Sequence, residues 1–221
     1  MSHTVKIKDV HRETHDVRSF ITEKPSGYSF IPGQGTQVAI NKDGWEDEQR
    51  PFTFCSLNDD DYLEFVIKIY SDHDGVTNQL GKVESGDELI LDDPWGAIQY
   101  KGPGVFLAGG AGVTPFIAIF RDLHQKGKLM GNKLIFSNKT EEDIILYDEF
   151  EQMLGDDFTN TLTREEKPTY EHGRIDKEML QKYVDDFDRH FYLCGPMQFV
   201  LDLKTHLENL GAETDEIVFE N

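Results

Sequence analysis

Gly104-Val105-Phe106-Leu107-Ala108-Gly109-Gly110-Ala111-Gly112-Val113-Thr114-Pro115 separates two kinds of sequence in this chain. Gly104 to Ala108 is small or apolar without a polar break and reads as a buried strand. A glycine-rich turn follows. A helix opens at about Thr114, with the threonine as cap and Pro115 in the first turn, where a missing N–H costs nothing. Phe116, Ile119, Phe120 and Leu123 recur at i, i+3, i+4 and i+7, which is one apolar face, and Gly127 supplies a stop. A strand that passes through glycines into a helix start leaves backbone N–H groups facing outward, an arrangement suited to a pyrophosphate. A plain tight connection explains the turn equally well. Gly110-x-Gly112 begins a dinucleotide fingerprint, but Pro115 stands at the third glycine position and breaks it.

Downstream, strands alternate with helices: strand Lys133 to Phe136, helix Tyr147 to Leu154, strand Thr159 to Thr163 and helix Asp176 to Val184, then strand His190 to Cys194, helix Met197 to Leu210 and strand Glu216 to Phe219. This alternation predicts a parallel sheet with helices on both faces. Ligands of such sheets bind at the carboxyl ends of the strands, near the point where the strand order reverses. Upstream of Lys101-Gly102-Pro103-Gly104 the pattern is different. Val5 to Val10, Val17 to Thr22, Thr36 to Ile40, Tyr62 to Tyr70 and Glu88 to Leu91 are short alternating stretches separated by Gly, Pro, Asn and Asp. They predict an antiparallel barrel or sandwich. The chain therefore divides into residues 1–101, all β, and residues 102–221, α/β.

Composition narrows the function. The 221 residues are 38% hydrophobic and carry 22 basic against 42 acidic side chains, a formal charge of -20. So negative a balance argues against nucleic acid or an anionic membrane as partner, because phosphate binding needs clustered Lys and Arg. Two cysteines, Cys55 and Cys194, are too few for an iron–sulfur cluster or a Cys-only zinc site, and they make no disulfide framework. No metal site is expected. The N-terminus has no apolar core of a signal peptide, and no run approaches the roughly 20 apolar residues of a membrane span. A soluble, cytoplasmic protein is expected.

Three further segments could carry chemistry. Leu193-Cys194-Gly195-Pro196-Met197 places a thiol at a strand end ahead of a helix, although most free cysteines are small buried residues. Arg50-Pro51-Phe52-Thr53-Phe54-Cys55-Ser56 offers a guanidinium for a phosphate, a ring face and two hydroxyls, Thr53 and Ser56. A half-buried strand with a surface arginine explains it too. Gly75-Val76-Thr77 follows a strand and opens a short helix, a second place for an anion or a plain loop with a capping threonine.

In this order, the four segments resemble the ferredoxin–NADP reductase family, in its flavodoxin reductase and flavohaemoglobin-reductase branches, over essentially the whole chain. The resemblance implies a Greek-key flavin-binding barrel (residues 1–101) and a five-stranded nicotinamide-binding domain (residues 102–221) that meet around the flavin. It implies an FAD-dependent enzyme that moves hydride from C4 of NADPH or NADH to flavin N5 and passes electrons to an external acceptor such as a ferredoxin or flavodoxin. Arg50 matches the arginine on the flavin phosphate, and Phe52 the aromatic, usually tyrosine, stacked on the isoalloxazine. Thr53 matches the hydroxyl near N5, with Ser56 beside it. Val66, Ile67 and Lys68 match a strand touching the flavin through backbone and a basic side chain, and Gly75, Val76 and Thr77 a second phosphate grip. Tyr70 falls near the aromatic on the adenine of FAD, which favours FAD over FMN.

On the nicotinamide side the resemblance assigns Gly110, Gly112, Val113 and Thr114 to the pyrophosphate and nicotinamide turn. Cys194, Gly195, Pro196 and Met197 match the motif beside nicotinamide C4, with Cys194 a shape and polarity element that forms no covalent bond. Phe219 matches an aromatic over the second flavin face or is an ordinary core residue. Lys139 and Arg164, at two strand ends, could pair with a 2′-phosphate, which favours NADPH, but Glu141, Glu142, Glu165 and Glu166 lie beside them. Two alternatives remain open: a non-catalytic nucleotide-binding docking subunit, and a flavin-free NAD-dependent dehydrogenase. The first predicts loss of Arg50, Thr53, Thr114 and Cys194, and the broken fingerprint and barrel-like first hundred residues disfavour the second.

Overall fold

The computed structural model describes residues 2–72, 74–96, 98–213 and 217–219. Its contacts divide into two compact units, residues 1–97 with 114–122, and residues 98–113 with 123–221.

The first unit is a six-stranded antiparallel sheet. Its strands are β1 (His3–Arg12), β2 (Val17–Glu23), β3 (Gly35–Ile40), β4 (Arg50–Thr53), β5 (Tyr62–Lys68) and β6 (Glu88–Leu91), in the order β4-β3-β6-β1-β2-β5. β1 is long enough to pair with β6 through its first half and β2 through its second, with an irregularity between Ile7 and Asp9. The bulge bends the strand and lets the sheet curl. The two edges meet just after β4: Cys55 N–H donates to the Glu64 carbonyl at 2.8 Å, and Glu64 N–H donates to Ser56 Oγ at 3.0 Å. Inside lie Val5, Ile7, Phe20, Phe30, Phe54, Phe65 and their neighbours, with the Phe30 and Phe54 rings stacked at 4.2 Å. Burying each such ring contributes about 1.5–3 kcal/mol, so the core outweighs the weak individual strands. A five-residue helix, α1 (Val76–Leu80), fixes Val76 and Leu80 into this core.

The second unit is a parallel sheet with helices, and the elements from residue 104 on are β7 (Gly104–Gly109), α2 (Thr114–Gln125, its residues 114–122 grouped with the first unit), β8 (Lys133–Asn138), α3 (Tyr147–Leu154), β9 (Phe158–Leu162), β10 (Glu171–His172), α4 (Lys177–Tyr183), β11 (His190–Cys194), α5 (Met197–Asn209) and β12 (Ile217–Phe219). The order is β10-β9-β8-β7-β11-β12. It runs outward from β7 in one direction through β8 and in the other through β11, so the topological switch point lies between β7 and β11. The strand interiors (Val105, Phe106, Leu107, Leu134, Ile135, Phe136, Phe191, Tyr192, Leu193) are almost wholly buried, as a sheet covered on both faces requires.

The structure corrects the expected five strands to six. β10 is a polar two-residue strand that periodicity could not reveal. It is held beside β9 by Gly173, whose N–H donates to the Leu162 carbonyl and whose carbonyl accepts from Thr161 Oγ1 at 2.7 Å. Thr114 is the first helical residue rather than a cap, because a 3-10 turn over Gly110–Val113 runs straight into α2. α2 is also buried all round from Phe116 to Phe120, since Ile117 and Ala118 fill what a one-faced helix would leave polar. Its stop is as expected: Gly127, at φ 64°, donates to the His124 carbonyl while Lys128 N–H reaches Leu123, a Schellman closure. Asp176 caps α4 by accepting from Met179 N–H at 2.9 Å. Glu216, expected in the last strand, lies outside the described residues. Among the described residues no helix is long and apolar enough to cross a membrane.

Candidate functional site

In the second unit the switch point carries two glycine turns, one after β7 and one after β11. They touch backbone to backbone. A Cβ on Gly112 would lie 2.4 Å from the Cys194 carbonyl oxygen and 2.6 Å from Gly195 Cα. One on Gly195 would meet the Phe199 ring at 2.8 Å and Gly109 at 3.2 Å. No side chain fits between the turns, so the ends of β7 and β11 form a bare backbone surface. Gly110 differs: at φ +54° it needs glycine for its conformation, and nothing lies within 4 Å of its Cβ direction. Val113 is fully buried and anchors the turn. Pro196 is the N-cap position of α5, and Met197, 81% exposed, is the first helical residue. Cys194 is partly buried and in no disulfide.

At the neighbouring strand ends, Arg164 N–H donates to the Lys139 carbonyl at 2.9 Å, and Thr163 N–H to that of Asn138. The backbones of the two cations expected near a 2′-phosphate are thus adjacent, and both residues are exposed. The acids that confused the sequence reading have other partners. Lys167 bonds Glu141 and lies 3.1 Å from Glu165, and Tyr170 OH donates to Glu141 at 2.8 Å. The Lys167 ammonium beside Glu141 lowers the pKa of that carboxyl, and Glu165 is lowered by the Glu141 backbone N–H and by Lys167.

The sequence reading missed Asn138 and Asn160. Both amide atoms of Asn138 and the Oδ1 of Asn160 are buried without hydrogen-bond partners. The two share a sheet face, because Asn160 pairs with Phe136. A polar residue ending an apolar strand was the signal for Asn138, while Asn160, in the middle of the polar strand β9, carried none. Phe219 sits in β12 opposite Leu193, against the α5 side of the core, with Lys204 Nζ 5.2 Å from its ring. That placement favours the ordinary core residue.

In the first unit, β4 sets the candidate groups in a row. Phe52 packs partly on the barrel core, Thr53 follows it, and Arg50 is exposed, its Nη1 donating to the Gln49 carbonyl at 2.6 Å with Glu48 4.0 Å away. Thr53 Oγ1 is buried and has no hydrogen-bond partner. A buried hydroxyl left unsatisfied costs about 1–3 kcal/mol, so it fits a site that a polar ligand completes. Gly35, opposite Thr53, was also missed: a Cβ there would come 2.5 Å from the Phe52 carbonyl, so only glycine lets β3 and β4 close. Glycine inside a strand was the signal. Tyr70 is 45% exposed and presents a ring. The start of α1 has no side-chain cap, which leaves backbone donors near Gly75, Val76 and Thr77, though Val76 itself points into the core. These donors, the orphan hydroxyl and the exposed ring fit a flavin nucleotide.

Two expected ligands have other tasks. Ser56 is fully buried, and its hydroxyl accepts from Glu64 N–H at the barrel edge. Lys68 is bound to Asp16 at 2.7 Å, which uses its charge. Val66 and Ile67 are both buried, leaving the backbone of β5 as their only offer. Thr114 groups with the first unit, its carbonyl 3.8 Å from Cys55 Sγ.

Comparison with known proteins agrees with both halves. The oxidoreductase FAD-binding domain family matches residues 4–100, and the oxidoreductase NAD-binding domain family matches residues 106–205. A glycine betaine monooxygenase reductase subunit of Chromohalobacter salexigens is 30% identical over 96% of this chain and 61% of its own length. NADH-cytochrome b5 reductase 2 of Mycosarcoma maydis is 26% identical over 96% of the chain and 70% of its length. The chain thus spans about two thirds of these relatives. A ferredoxin NADP+ reductase from Neisseria gonorrhoeae, solved with bound FAD and NADP, superposes with a TM-score of 0.87 at 22% identity, covering 100% of this chain and 98% of that one. With the two domain families matched in succession over most of its length, the chain belongs to the oxidoreductases that join an FAD-binding to an NAD-binding domain, and its fold is that of ferredoxin NADP+ reductase.

Proposed function

We propose that the chain is an NAD(P)H reductase whose residues 1–101 hold FAD and whose residues 102–221 hold the nicotinamide nucleotide, delivering electrons to a separate protein acceptor. The observation that carries this reading is the buried, partnerless Thr53 hydroxyl on β4. FAD held there would supply hydride-accepting chemistry toward the nicotinamide, for which the protein needs no proton-transfer triad. Thr53 Oγ1 donates to the flavin where charge arrives. Phe52 and Tyr70 offer ring faces, and Arg50 turns from Gln49 and Glu48 onto a phosphate. The bare turns at Gly110–Val113 and Cys194–Met197 admit the dihydronicotinamide and its pyrophosphate, and Cys194 shapes the slot. Lys139 and Arg164 favour NADPH.

The acceptor is of the kind that the relatives' names give, a haem protein or an oxygenase component. A charge of -20 disfavours an acidic ferredoxin or flavodoxin, whose docking wants a basic face. Purification with FAD and anaerobic addition of NADPH tests the reading: the yellow colour bleaches. A protein that holds no flavin refutes it, and a yellow protein inert to both nicotinamides supports a docking subunit instead.

A further inference from the structure

We propose that Lys167 tunes coenzyme preference, by cancelling one of the two charges of Glu141 and Glu165 so that Lys139 and Arg164 meet less opposing negative charge when they take a 2′-phosphate. This rests on the nicotinamide reading above. Segments 139–141 and 164–167 run side by side at the carboxyl ends of β8 and β9. Arg164 N–H bonds the Lys139 carbonyl at 2.9 Å, and Glu141 N–H bonds Glu165 Oε2 at 2.8 Å. On and beside these two segments the sequence sets two cations, Lys139 and Arg164, among four acids, Glu141, Glu142, Glu165 and Glu166. Carboxylates at such strand ends favour the ribose hydroxyls of NAD, and cations favour the phosphate of NADP.

Lys167 tips that balance. Its Nζ bonds Glu141 and sits 3.1 Å from Glu165 Oε1, while Tyr170 OH holds the other Glu141 oxygen at 2.8 Å. Tyr170 is braced in turn by the Tyr147 ring, edge-on at 6.2 Å. Glu141 and Glu165 therefore share one ammonium. As an exposed ion pair this cluster contributes little to stability. Its effect is on the local field, which a dianionic phosphate feels from each unmasked carboxylate closer than one Debye length, about 8 Å.

The test compares adenosine 2′,5′-bisphosphate with AMP by calorimetry on the flavin-loaded protein, alongside kcat/KM for NADPH and NADH. The wild type is expected to bind the bisphosphate more tightly. Lys167→Met should weaken that binding about tenfold, equivalent to about 1.4 kcal/mol, and leave AMP unchanged. Lys167→Arg should retain the preference. Lys167→Met with Glu141→Gln and Glu165→Gln should restore it, which separates charge from misfolding. Discrimination that survives in Lys167→Met, or fails to return in the triple variant, overturns the proposal. A wild type indifferent to the 2′-phosphate, yet with flavin still reduced by NADH, overturns it alone. Loss of reduction by either nicotinamide overturns the reductase reading as well.

Discussion

Gly112 and Cys194 stand so close that a single methyl group on the glycine would lie 2.4 Å from the cysteine's carbonyl oxygen. The contact joins the ends of β7 and β11, the two strands on either side of the switch point. Gly112→Ala must push one turn away from the other. Overpacking of this kind costs about 1–3 kcal/mol. The variant should unfold at lower urea, keep its flavin, and be reduced by NADPH at least tenfold more slowly, as a misplaced hydride donor predicts. Stopped-flow reduction together with urea titration checks both effects.

Thr53→Val should change stability and activity in opposite directions. The hydroxyl is buried without a partner in the flavin-free chain, so valine should stabilise the apoprotein by about 1 kcal/mol. In the flavin-loaded protein the same change removes the donor proposed for the reacting flavin atom and should slow reduction about tenfold. Thermal melts with and without FAD, and the reduction rate, decide it.

Arg121 holds a buried charge in the first unit. Its guanidinium bonds Glu64 and donates to the Cys55 carbonyl at 2.7 Å, while Ser19 Oγ donates to the other Glu64 oxygen at 3.0 Å. Arg121→Met would strand the Glu64 carboxylate, and breaking a buried pair costs about 3 kcal/mol. Adding Glu64→Leu should recover much of the loss, because the remaining charge is gone. A double variant no more stable than Arg121→Met would contradict the assignment.

Glu13 supplies a pH test. Burial raises its pKa from the ordinary 4.5, partly opposed by His11 at 2.9 Å. The folded state therefore binds a proton more tightly than the unfolded chain. Glu13 costs nothing below the unfolded value, and its penalty appears as pH rises from there through the raised folded pKa. Glu13→Gln should stabilise the protein at pH 7 and have no stabilising effect at pH 4, as urea unfolding at the two values will report.

Much of the fold was legible because the second unit is periodic. Tyr147–Leu154 and His190–Cys194 have the bounds that apolar spacing predicts, and Gly127 ends its helix as glycine should. β10 was not legible, since its pairing depends on Thr161 and Gly173 rather than on a pattern. In the site, motif order drew attention to the turns, but sequence could not reveal what each side chain already touches. Ser56 and Lys68 have the right chemistry and are used elsewhere, by the Glu64 backbone and by Asp16. Lys139 and Arg164 are clarified only by seeing Glu141 and Glu165 bound to Lys167.

The most direct measurement is a single-turnover, anaerobic mixing of the FAD-loaded protein with one equivalent of NADPH. The account predicts complete loss of the oxidised flavin spectrum in one two-electron phase, with Thr53→Val slower. A flavin that stays oxidised in the presence of both NADPH and NADH would contradict it.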